Sequence, residues 1–168
     1  MKFHALAIVS MLALATTITA QSPARSKAVA TVGGARVVVE YGSPALHGRD
    51  MLAQAPPGTV WRLGMDTATL LETDAELTFG ELVVPAGSYS LFAKRVDEKN
   101  WELIVNEQTG QWGTEHNAGM DLGRTPLAWE TKGDSTEQFT VEIENAAGGG
   151  ELRFIWGTHV LKSRFTAS

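Results

Sequence analysis

The chain breaks its β-branched and aromatic runs with glycine or proline before any of them is long enough to become a helix. "ATVGGARVVVEY" holds two such runs around Gly33–Gly34, the pattern of a tight hairpin. "AELTFGELVVPAGSYSLFAKR" carries two further turns, at Gly80 and at Pro85–Gly87. In "NWELIVN", alternation puts Trp101, Leu103 and Val105 on one face and Glu102, Ile104 and Asn106 on the other. "EQFTVEIEN" sets Phe139, Val141 and Ile143 against Thr140, Glu142 and Glu144. "AGGGELRFIWGTHVL" adds a glycine turn and a last strand with Leu152, Phe154 and Trp156 in phase. Roughly eight or nine short strands, with no helical periodicity between them, predict an all-β fold. Its expected form is a single β-sandwich, with a jelly roll as the specific candidate, rather than a parallel α/β sheet. The least regular segment, residues 107–125, begins "EQTGQWGTEHN". A loop that long inside a compact domain is more often functional than idle.

The first residues read differently. Lys2 precedes the apolar run "ALAIVSMLALA", and small residues lead to Ala20. The run has signal-peptide length and is short for a membrane span. The expected organisation is therefore a signal peptide over 1–20, a polar flexible leader over 21–28, and a β-sandwich domain over 29–165. Export to the periplasm or the extracellular space follows from that reading. No later segment is apolar enough to span a membrane. The chain contains no cysteine, which excludes disulfides, cysteine zinc sites and thiol catalysis. With 14 basic against 19 acidic residues and a net charge of −5, it has no basic face for nucleic acid. The histidines after the signal segment, His47, His116 and His159, show no short ligand spacing, so no metal site and no cofactor are expected. The expected state is a monomer.

Two clusters of residues could carry chemistry. In "YGSPALHGRD", His47 and Arg49 sit on a loop bracketed by proline and glycine, after Tyr41. In "WRLGMDTAT", Arg62 follows Trp61, and Asp66 follows Gly64. Arg62 needs a carboxylate if it is buried, with Glu40 or Glu72 as the expected partner. His47 facing Asp66 admits three outcomes: a hydrogen-bonded brace, a general-base pair, or a covalent acyl-imidazole cross-link. Such a cross-link would close a loop worth roughly 3 kcal/mol in chain entropy. The general-base reading lacks a nucleophile motif, although Ser43 and Thr67 are near in sequence. In the long loop, Trp112 is followed by His116 and Asn117, an aromatic–amide set suited to binding a sugar or a peptide. Asp121 and Arg124 are expected to tie that loop together. Trp101, Trp129, Trp156, Tyr89 and Phe92 are expected in the core or on a sheet face.

"VEYGSPALHGR", "VWRLGMDTATLL", "VPAGSYSLF" and "WELIVNEQTGQWGT" occur in that order. With these four motifs the chain resembles the bacterial domain-of-unknown-function family 2911, over about residues 30 to 160. Val84 stands where that family usually has leucine, and Met65 where it often has alanine. The resemblance implies an exported β-rich domain and no established activity. It also sets His47 inside the Pro…Gly-Arg motif. The leading expectation is a non-enzymatic envelope module in which His47 and Asp66, supported by Tyr41, Arg49 and Arg62, brace or cross-link the fold. The alternative is a module that binds a small ligand or an envelope component through Trp61, Trp112, His116 and Asn117. A hydrolase-like enzyme stands third.

Overall fold

The computed structural model describes residues 25–168. The expected signal peptide, and the leader as far as residue 24, lie outside the described residues. The strands are β1 (Ser26–Val32), β2 (Ala35–Tyr41), β3 (Val60–Trp61), β4 (Thr69–Thr73), β5 (Leu77–Phe79), β6 (Leu82–Val84), β7 (Gly87–Arg95), β8 (Trp101–Asn106), β9 (Asp121–Ala146) and β10 (Gly149–Ala167). One short helix, α1 (Met51–Gln54), and a 3-10 turn at Ala118–Met120 complete the set. The leader expected to reach residue 28 ends earlier. Residues 26–28 already pair with β2, because Val29 and its neighbours continue the ladder in both directions.

The fold is all-β: one antiparallel sheet in the order β1-β2-β4-β7-β8-β9-β10-β5-β6. The sandwich expected from the spacing is built from this single ladder, which turns back over its own core. Tyr41 of β2 meets Phe139 of β9 edge-on at 5.6 Å, although the two strands are far apart in the ladder. Trp61 of β3 stacks on Trp156 of β10 at 5.5 Å and 10°. Between the layers lies a core that includes Val37, Val39, Leu71, Leu91, Leu103, Phe139, Leu152 and Phe154, every one in phase with strand alternation.

Two irregularities position the site. β3 and β4 lie along the same edge of β7, with Trp61 opposite Ala93 and Thr69 opposite Leu91. Residues 62–68 therefore have only Phe92 opposite them and leave the ladder as an outsized bulge. The second is in β10, whose register against β9 shifts on both sides of Gly157. Bulges re-aim side chains and concentrate beside functional sites.

Candidate functional site

The sequence motifs meet at the 62–68 bulge, mostly through glycines. A β carbon on Gly42 would run into the Met65 carbonyl and side chain, and one on Gly64 would come within 2.7 Å of the Gly42 carbonyl. The Tyr-Gly-Ser-Pro and Trp-Arg-Leu-Gly segments thus touch backbone to backbone, which a side chain at either glycine would prevent. On the other side, a β carbon on Gly113 would come within 2.8 Å of both Arg62 Cβ and the Asp66 carbonyl. The Gly113 N–H donates to that carbonyl at 2.8 Å, and the Ala68 N–H donates to the Gln111 carbonyl at 3.1 Å. Among the described residues, the non-glycine residues with left-handed backbone are His47, Leu63 and Asp66, at φ 50°, 50° and 62°. All three lie in these segments. Each such residue costs on the order of 1 kcal/mol, so the surroundings must impose it.

His47 and Asp66 sit on separate left-handed turns. The left-handed turn after buried Leu46 exposes His47, and its main-chain N–H is bound by the Glu137 carboxylate at 3.0 Å. Asp66 is engaged through its carbonyl. The two side chains share no hydrogen bond or ion pair, so no brace of that kind joins the two segments. The two segments do touch, but through Gly42 against Gly64 and Met65. Arg62 also departs from expectation. Glu40 is taken by Arg25 at 3.1 Å and by Lys27 at 2.9 Å. Arg25, assigned to a flexible leader from sequence, also donates to the Thr67 hydroxyl and to the Ala68 carbonyl, pinning the bulge to β2. Ser43 donates to the Phe139 carbonyl at 2.7 Å, so both hydroxyls considered as nucleophiles are in structural bonds. Tyr41 is core.

The bulge forms one side of a cleft of about 560 Å³. Trp61 and Trp156 line it with Trp101, facing α1 and the turn after it; Arg49, Arg62 and Met65 complete its chemistry. Val60, Trp61 and Arg62 also line a second cleft of about 410 Å³, whose far wall is Gly113, Thr114 and His116. Trp112 is 48% exposed and, like Asn117, lies in neither cleft. Its backbone bridge to Thr67 turns the ring outward, and Asn117 instead caps the 3-10 turn.

Residues missed in the sequence hold the cleft together. Arg95 is buried, yet its guanidinium donates to the carbonyls of Leu52, Ala53, Ala55, Asp97 and Glu98, and lies 5.1 Å from the Trp129 ring centre. Its signal was its phase: Tyr89, Leu91, Ala93 and Arg95 share one face of β7. At the other end of α1, Asp50 accepts from the Ala53 N–H and from His159 Nε2 at 3.0 Å. His159 Nδ1 accepts the Trp129 indole N–H at 3.2 Å. An indole can only donate, so Nε2 carries the imidazole proton and gives it to Asp50. Burial would raise the Asp50 carboxyl, but the bonds from His159 and Ala53 outweigh it and hold it below its ordinary value. Asp121 behaves alike. Burial is overcome by bonds from Asn106, His116 and Arg124, which fasten the long loop as expected for Asp121 and Arg124.

These features define an all-β domain whose bulged strand and single helical turn enclose an aromatic cleft. The chain belongs to the family of proteins of unknown function DUF2911, whose profile matches residues 22–165. No curated protein and no solved structure matches it.

Proposed function

We propose that the protein is an exported, non-enzymatic module that binds a small ligand in the cleft between α1 and the tryptophan floor. The observation that carries this reading is the cleft itself: about 560 Å³, lined by Trp61, Trp101 and Trp156, with α1 clamped at both ends. That volume lies within the range of ordinary ligand sites, and largely apolar walls with a few placed polar groups are their usual composition. Met51 and Val60 line the cleft yet are each 38% exposed, apolar surface that a ligand would cover. Export rests on the N-terminal apolar run.

A neutral apolar dye, phenylnaphthylamine, tests the reading. It should bind with tryptophan-sensitised emission. Met51→Glu should weaken binding by about fivefold, because it places a carboxylate on the apolar wall. Residue 51 is in the first turn of α1, where a carboxylate is well tolerated. Absence of sensitised emission, or equal affinity in the variant, would remove the cleft as a binding site.

A further inference from the structure

We infer that the cleft takes a small amphipathic anion: a flat apolar body carrying one carboxylate-like head, bound by Arg62 and Arg49. This rests on the ligand-binding reading and adds the class of ligand. The chain as a whole is acidic, at −5, yet among the described residues no carboxylate lines this cleft while two arginines do. Among the described residues most other arginines have acidic partners: Arg25 has Glu40, Arg124 has Asp121, Arg153 has Glu142 and Arg164 has Glu151. The two in the cleft do not. Arg49 donates only through Nε, to the Leu46 carbonyl at 3.2 Å, and Arg62 only through Nη1, to the Asp66 carbonyl at 3.4 Å. Each guanidinium keeps most of its five N–H donors, in the planar fork that matches a two-oxygen anion.

Arg62 is also held ready. Gly113 lies against its stem where a side chain would displace it, and the Asp66 carbonyl that receives its Nη1 is itself fixed by the Gly113 N–H. Trp101, at the wall, adds an aromatic ring and no acceptor that would repel an anion. Trp61, stacked on Trp156 and only half-buried, offers a flat aromatic face to such a body. Beyond the two arginines the walls carry no charge, Gln54 and Thr59 being their polar side chains among Pro44, Leu52 and Met65, and an acidic chain repels a polyanion.

The test compares anilinonaphthalene sulfonate with phenylnaphthylamine, which has the same aromatic body without the anion. The sulfonate should bind about tenfold more tightly, the worth of one charge-assisted hydrogen-bonded contact. The gap should close in the Arg49→Gln/Arg62→Gln double variant and shrink as NaCl rises from about 20 to 300 mM. Equal affinities in the unaltered protein, or a gap that survives the double variant, would overturn the anionic preference while neutral-dye binding left the cleft reading intact. Binding of neither dye would overturn both. Should the double variant fail to fold, Arg49→Gln alone, at an exposed position, and the salt series decide: a gap unmoved by either overturns the inference.

Discussion

A methyl group at residue 113 would enter space filled by the Arg62 stem and the Asp66 carbonyl. At Gly110, by contrast, nothing lies within 4 Å of where a β carbon would be, and only φ of 81° opposes a side chain. Gly113→Ala should therefore cost about 2 kcal/mol through overpacking, and Gly110→Ala only about 1 kcal/mol through left-handed backbone. Urea unfolding of both variants measures the difference, and equal costs would mean that Arg62 is not wedged against Gly113. The same scale shows why the hydrogen bond expected between His47 and Asp66 is not formed. A Pro/Gly-bracketed histidine and an aspartate in a nearby motif suggest a pair, but pairing depends on two left-handed residues, and a non-glycine residue announces no such backbone. Glycines were the better guide: Gly42, Gly64 and Gly113 mark where motif segments touch, and each stands inside a quoted motif. Trp61 and Arg62, singled out by residue type, both line the cleft, although Glu40, one carboxylate expected for Arg62, is held by Arg25 and Lys27.

At the level of elements, α1 has too few residues to be stable alone, since a single turn leaves most of its own hydrogen bonds unmade. Arg95 supplies acceptors' partners from outside, joining the end of α1 to the turn at Asp97 and Glu98. Arg95→Leu should destabilise the protein by about 3 kcal/mol and accelerate amide exchange over residues 52–58, because buried carbonyls lose a charged donor. Arg95→Lys should recover little, since one ammonium cannot reproduce a fork that reaches five carbonyls. Wild-type exchange in either variant would show that α1 holds without the clamp. Strands that bury one face were legible: Phe139 and Val141, and Leu152, Phe154 and Trp156, point inward as alternation requires. The long middle of β9 was not, because Glu130 to Gln138 has hardly any buried side chain to set a phase. Nor was the end of β10. Inward positions are even up to Trp156 and odd from His159 to Phe165, as the shift at Gly157 flips every later side chain. The flip carries His159 inward to Asp50, against the phase that Leu152, Phe154 and Trp156 set. The 62–68 bulge was hidden for the opposite reason: its two flanking strands each look complete.

For the whole molecule, three carboxylates clamp the three segments that make or flank the cleft. Glu40, through Arg25, holds the bulge; Asp50 holds the start of α1; Asp121 holds the long loop. All three lie below their ordinary values. For Glu40 the Lys27 hydrogen bond is the main cause, acting against burial and joined by the charges of Lys27 and Arg25. For Asp50 and Asp121 burial is the largest single influence and raises the carboxyl, but the bonds donated to each outweigh it. A carboxylate whose folded pKa is depressed contributes stability that is complete above its unfolded value and disappears as pH falls through the folded one. The ordinary values are 4.5 for Glu40 and 3.8 for Asp50 and Asp121, so the loss begins near those values and continues below them. Because the clamps hold the bulge, the helix and the loop, while the ladder rests on main-chain hydrogen bonds and the apolar core, acid should loosen the cleft before it melts the sheet. Titrated downward from about pH 6, tryptophan-sensitised emission from the bound neutral dye should fall first, with the far-ultraviolet β signal following at lower pH. Asp121→Asn should be less stable at neutral pH and show a shallower loss on acidification, having given up one of the depressed groups. Coincident transitions for dye and sheet would mean that the clamps belong to one cooperative unit with the ladder and that the cleft has no separate acid lability.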